Sequence, residues 1–182
     1  DSVSLSITGN LTIEAWIKPD GTAQGGIVEK YDLDTNGYAL RTDTTNSLQA
    51  YTFDATTFTT GTTVTKIVQG TWTHVAVTYD ASNLIFYING AANATVTNTR
   101  NPTDGTQTCK VGARGNDAGA TWAGLMDEVR VWNVARSAVQ ISDNYQQELA
   151  GTETGLVAYY RLNNTSTDET SNANNLTIAG NP

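Results

Sequence analysis

Period-two alternation of apolar and polar residues constrains this chain more than any other feature of its sequence. In Leu11–Lys18, Leu11, Ile13, Ala15 and Ile17 fall on one side of an extended backbone, and Thr12, Glu14, Trp16 and Lys18 fall on the other. A helix would scatter both sets. The pattern recurs in Gly37–Thr42, Leu48–Phe53, Trp72–Tyr79, Leu84–Ile88, Leu125–Trp132 and Leu156–Leu162, with weaker runs at Val3–Ile7, Gly26–Tyr31 and Thr63–Val68. Val, Ile, Thr, Tyr and Trp fill these runs, and Gly, Asn and Asp separate them, which is the chemistry of strands joined by turns. About a dozen such strands predict an all-β, two-sheet antiparallel sandwich in which one face of each strand makes core and the other looks out.

Two turns are predicted around Leu84–Ile88: the small polar residues Ala81, Ser82 and Asn83 before it, and Asn89-Gly90, able to take positive φ, after it. One short helix is expected over residues 138–149. Ser137 and Gln140 have capping-box spacing, Ala138, Ile141, Tyr145 and Leu149 recur at helical intervals, and Gly151 follows. No internal boundary breaks the 182 residues, which are expected to form a single domain over residues 1–182.

Eighteen acidic residues against ten basic ones give a formal charge of −8, which disfavours nucleic acid and anionic membrane surfaces as partners. No apolar run approaches the ~20 residues that cross a bilayer, so membrane insertion is not expected. The N-terminus has no charged-then-apolar leader, so any secretion signal is expected to have been removed. Cys109 is the single cysteine; it forms no intrachain disulfide and is expected to pack rather than react. Low charge and abundant Thr, Asn and Gly point to a secreted or cell-surface module.

Four stretches taken in order resemble the laminin-G-like jelly-roll domains, related to the pentraxins and to the concanavalin A-like lectins and glucanases. They are LTIEAWIKP (Leu11–Pro19), WTHVAVTYDASNLIFYINGA (Trp72–Ala91), WAGLMDEVRVWNVARSAVQI (Trp122–Ile141) and GLVAYYRLNNTSTDETSNANNLT (Gly155–Thr177). The resemblance implies a jelly-roll sandwich and a noncatalytic module recognising a glycan or a cell-surface protein, joined to other domains of a larger parent chain. A spacer or protein-interaction domain of an adhesin is the alternative. The related hydrolases carry acids at alternate positions of one strand, whereas here the corresponding face reads Glu128, Arg130, Trp132. His74, the only histidine, has no cysteine partner and lies in an ordinary strand, so a triad is not expected.

The resemblance also implies a structural Ca²⁺. Straight alternation along Leu125–Trp132 places Asp127 with Leu125, Val129 and Val131, on the core side, where a carboxylate needs a metal, an Arg or backbone donors. Asp127 and Asp168 are the candidate ligands, with Asp1 joining them; the other reading makes Asp168 and Ser171 an ordinary Asx-type turn. A rival loop offers Asp32, Asp34 and Asn36 at calcium-loop spacing but lacks flanking helices, which favours a plain turn between strands. For a sugar, aromatic faces flanked by polar groups are required. Trp16, Arg130, Trp132, Tyr159 and Arg161 form such a platform if their side of the sheet is open. The loops Asp20–Gly25, Arg100–Thr108 and Arg114–Thr121 are the alternative.

Overall fold

The computed structural model describes residues 2–21, 25–32, 35–55, 58–115 and 121–179. Its strands are β1 (Leu11–Pro19), β2 (Gly25–Asp32), β3 (Asn36–Thr42), β4 (Ser47–Asp54), β5 (Phe58–Lys66), β6 (Thr73–Tyr79), β7 (Asn83–Ile88), β8 (Ala91–Thr97), β9 (Lys110–Val111), β10 (Gly124–Trp132) and β11 (Leu156–Tyr160), with one helix, α1 (Ala138–Asn144), before β11. They form a six-stranded sheet in the order β11-β10-β1-β6-β7-β8 and a five-stranded sheet in the order β5-β4-β3-β2-β9. All the pairings are antiparallel. The chain is a two-sheet antiparallel sandwich, as the alternation predicts, of the jelly-roll kind that the resemblance implies.

The core lies where the inward faces meet. Ile13, Ile17, Val75, Val77, Phe86, Val129 and Val131 of the first sheet join Val28, Tyr38, Leu40, Leu48 and Ala50 of the second in one buried cluster. Each fully buried aliphatic or aromatic side chain contributes about 1.5–3 kcal/mol. Cys109 packs against this cluster, and burial pushes its thiol up to about 12, which leaves it protonated and inert at neutral pH. The two predicted turns form. Asp80 Oδ1 accepts from Ser82 N at 2.9 Å and Asn83 N at 2.6 Å, and Asn89 and Gly90 both take positive φ, 49° and 78°. Val3–Leu5 is a 3-10 turn, not a strand, and β8 follows the Asn89-Gly90 turn without a strong apolar period to announce it.

The helix is shorter than its periodicity predicts. Ser137 and Gln140 do form the reciprocal capping box, but the helix ends at Asn144. The reason lies in the sheet beneath it. Trp16 Nε1 donates to Tyr145 O (2.8 Å), and the Arg130 guanidinium donates to Asn144 O (3.3 Å) and Gln147 O. Side chains of β1 and β10 thus satisfy carbonyls that another helical turn would have used.

Residues 133–151, which contain α1, form a strap over the outer face of the six-stranded sheet, so the expectation that this face looks out fails. Glu14 is completely buried there, with Thr12, Trp132, His74 and Arg130. Glu14 Oε1 accepts from Trp132 Nε1 (2.8 Å) and Arg136 Nη1 (2.7 Å), and His74 Nε2 lies 3.4 Å from Oε2. Arg136 also stacks on the Trp132 ring at 4.2 Å, and its backbone N–H donates to Thr12 Oγ1 (2.9 Å). Burial pushes the Glu14 carboxyl up, but His74, Arg136 and Arg130 outweigh it, and the group titrates below its usual value.

Replacing Glu14 by Ala strands the buried Arg136 guanidinium and the Trp132 indole N–H, so a loss of about 3–5 kcal/mol is expected in urea denaturation at pH 7. Because the folded pKa is depressed, this advantage of the native protein is complete above about 4.3 and shrinks as pH falls through the lower folded value. A variant as stable as the native chain at pH 7 would remove Glu14 from this role.

Candidate functional site: an acid-lined cavity beside a bulge

Straight alternation fails in β10 at one residue. The register with β1 runs from Glu14 opposite Arg130 to Trp16 opposite Asp127, so Ala15 faces two residues, Glu128 and Val129. This is a β-bulge, and Glu128 adopts φ 51°, an uncommon backbone for a residue with a Cβ. Directly opposed residues share a face. The bulge therefore moves Leu125 and Asp127 onto the Trp16–Lys18 side, and Met126 packs against the core in their place. Asp127 does not point inward, as simple counting had it.

Beyond the edge of the strap this side opens into a cavity of about 130 Å³ lined by Trp16, Asp127, Glu128, Tyr145, Gln146, Gln147, Glu148 and Asn163. Trp16 forms a half-buried wall, fixed by its hydrogen bond to Tyr145 O, by stacking on Tyr145 (6.0 Å, 25°) and by an edge contact with His74 (5.7 Å). The Glu128 carboxylate is held by Arg130 Nη2 (2.5 Å) and the Tyr159 hydroxyl (2.7 and 2.8 Å). Asp127 differs. Its Oδ1 accepts only the neighbouring Glu128 N–H (2.9 Å), and its Oδ2 takes no hydrogen bond among the described residues. Burial first, then repulsion from Glu128 and Glu148, pushes its carboxyl above the usual range despite the Glu128 N–H and Arg130. The cavity thus offers an aromatic wall, an unengaged acceptor, and amides on Gln146 and Asn163.

The other sequence-expected sugar contacts lie elsewhere. Arg130, Trp132 and Tyr159 are 1%, 3% and 0% exposed beneath the strap, so they do not form an open platform. Arg130 and Tyr159 instead fix Glu128, and Trp132 fixes Glu14. Arg161, half-buried, ties the strap down through Leu149 O (2.9 Å) and Glu148 (3.5 Å). Of the five, only Trp16 reaches the cavity.

A feature missed at the sequence level lies on the outer face of the five-stranded sheet. Tyr31 and Tyr51 stack on Phe53 (5.0 and 5.7 Å), and the Arg41 guanidinium lies over Tyr31 and Tyr51 at 5.3 and 4.5 Å while its Nε reaches Glu29 at 2.8 Å. Alternation of Tyr51 and Phe53 in β4 was the available signal. Tyr31, Phe53 and Arg41 are buried, and Thr103 of the 100–108 loop donates to Phe53 O (2.9 Å), so the cluster works as a satellite core.

The carboxylates expected to hold a cation are not brought together. Asp127 sits at the bulge opposite Trp16, whereas Asp168 lies against β11. Asp168 Oδ1 accepts from Tyr159 N (3.0 Å) and Thr170 N (2.9 Å), and Oδ2 accepts from Thr170 Oγ1 (2.9 Å) and Asn174 N (2.8 Å). Each oxygen carries two donors, a set suited to an Asx-type turn and not to a cation, whose coordination would displace backbone N–H groups. Asp1 and Asp34 lie outside the described residues, as does the side chain of Asp32. Asn36 pairs with Asp32 across the β2–β3 hairpin and accepts from Thr103 Oγ1 (2.7 Å). Among the described residues no three His, Cys, Asp or Glu side chains cluster as a metal site. Asp168→Ala, which orphans three backbone donors, two of them buried, is expected to lower stability by about 2–4 kcal/mol, and excess EDTA is expected to leave the native melting temperature unchanged. A chelation-induced drop of several degrees would count against this account of Asp168.

Comparison with known proteins fits this architecture. A protein of Bacteroides ovatus, provisionally described as carbohydrate-binding, superposes with a TM-score of 0.73 at 22% identity over 90% of this chain. The chain spans 50% of that protein's length. Domain 4 of AbnA, an extracellular arabinanase of Geobacillus stearothermophilus solved with arabinotriose, gives 0.64 at 22% identity, covering 79% of this chain and 69% of the other. A heptameric SAP-like pentraxin of Limulus polyphemus gives 0.57 at 19% identity, covering 74% and 69%. A laminin-G-type family model, described as the concanavalin A-like lectin/glucanases superfamily, matches residues 1–142. Spanning most of both sheets, that match establishes that the chain belongs to the concanavalin A-like lectin/glucanases superfamily as a laminin-G-type jelly roll.

Proposed function

We propose that this chain is a noncatalytic glycan-recognition module that works outside the cell as one domain of a larger protein. The observation that carries the reading is the cavity at the bulge. There the Trp16 wall and the unengaged Asp127 Oδ2 meet side-chain amides, the combination that stacks a sugar ring and takes up its hydroxyls. Relatives support it in kind, since one was solved with arabinotriose and another is provisionally described as carbohydrate-binding. No helix among the described residues is long and apolar enough to cross a membrane.

Binding is favoured over hydrolysis by the state of the carboxylates. Glycoside hydrolysis needs one carboxyl to give a proton and a second to attack or to activate water. Here Glu128 is tied to Arg130 and Tyr159, and Glu148 is exposed and paired with Arg161. Only Asp127 is free to act, which suits an acceptor in a binding site. Recognition of a protein partner is the competing reading, and no particular feature of the cavity favours it.

A glycan array probed with and without Ca²⁺ tests the assignment. Binding to a subset of glycans, equal in both conditions, is expected, and Asp127→Ala and Trp16→Ala each should weaken it about tenfold or more. A folded protein that binds nothing on the array would sink the proposal. Asp127→Asn carries a second, separable expectation. A carboxyl with a raised folded pKa destabilises the fold once ionised, so the variant should melt higher than the native protein at pH 7. That difference should vanish below about pH 3.9, where the group is protonated in both states.

A further inference from the structure

A second, larger cavity is built on the next residues of the same two strands. It has a volume of about 420 Å³ and is lined by Lys18, Pro19, Asp20, Gly70, Gly124 and Leu125. Lys18 stands opposite Leu125 in the register, as Trp16 stands opposite Asp127. Two residues along each strand separate the pairs, about 7 Å, the scale on which neighbouring rings of an oligosaccharide succeed one another. The two residue pairs are thus consecutive positions on one face of the sheet, and each lines its own cavity. The bulge makes them so, since it brings Asp127 and Leu125 to one face.

Their chemistry differs in a complementary way. The first presents carboxylate acceptors and an aromatic wall. The second presents the Lys18 ammonium, a donor with no ion pair among the described residues, beside Leu125, which is 57% exposed. The turn that closes its far side is anchored by Gly70 N donating to Pro19 O (2.9 Å), and it carries exposed Val68 and Trp72. An exposed apolar surface that carries one ammonium donor and the Asp20 carboxylate suits the face of a sugar ring and the hydroxyls at its edge.

We propose that the two cavities are successive subsites for one neutral oligosaccharide, one sugar unit on Trp16 and Asp127 and the next on Leu125 and Lys18. This rests on the glycan reading above and adds its ligand class: an internal or chain-end stretch of at least two units, not a lone terminal sugar. Neutrality follows from the site itself, since an anionic sugar suited to Lys18 would meet Asp127, Glu128 and Glu148 one position away.

Calorimetric titration with mono- to pentasaccharides of the arabinan, xylan, cellulose and laminarin series tests it. Affinity is expected to rise by about tenfold or more from the monosaccharide to the di- or trisaccharide of the recognised series and then to level off. Lys18→Met with Leu125→Ala should abolish that rise and leave monosaccharide affinity within about twofold, whereas Asp127→Ala should weaken every length. Both Lys18 and Leu125 are solvent-accessible, and a native melting temperature checks that the double variant folds. Affinity independent of chain length, or a double variant with the native length dependence, overturns the second subsite while the glycan reading stands. No binding of any series by the folded native protein overturns both.

Discussion

The buried carboxylate of Glu14 is the interaction on which the rest of this architecture depends. A lone charge at that depth would cost several kcal/mol, so it exists only because Trp132, Arg136 and His74 converge on it. Those partners come from β10, from the strap and from β6. One carboxylate therefore joins the two central neighbours of β1 and clamps the covering segment onto them. Beyond Ile141, Leu149 and the Tyr145 ring the strap contributes little apolar area of its own, so polar contacts share in setting its position. With that position fixed, Tyr145, Gln147 and Glu148 become walls of the cavity.

This arrangement explains which parts of the molecule were legible in the sequence. Alternation located most strands because burial on at least one face leaves a period of two. The Ser137–Gln140 box and the Asn89-Gly90 turn were legible because each acts through backbone groups a few residues away. The outer face of β1 was misread for a definite reason. Thr12, Glu14 and Trp16 are the polar and amphipathic residues of a solvent face, and contacts with residues far away in the chain, most of them over a hundred positions distant, make them a buried polar layer. Composition does not distinguish a hydrated face from one whose polar groups are satisfied by protein.

The candidate site was half legible for a similar reason. Trp16 and Asp127 were both singled out, but for separate purposes, and nothing local shows that β10 gains a residue between them. Glu128 lacks the glycine that usually marks a left-handed position, so the bulge leaves no signature in the sequence. Asp168 was read from its oxygen-rich loop. That composition serves a turn that closes on itself as well as it serves a cation, and the difference lies in where the N–H groups of Tyr159, Thr170 and Asn174 point.

The bulge at Glu128 is also a one-residue phase difference between the two halves of β10. Removing that single residue would bring Leu125 and Asp127 back into step with Val129 and Val131, so the polar lining of the cavity and the apolar lining of the core would exchange sides. Point substitutions at Trp16, Lys18, Leu125 or Asp127 leave the phase alone. Ligand preference in this module is thus free to drift by substitution, while the length of β10 is held fixed by the core that the other half of the strand completes.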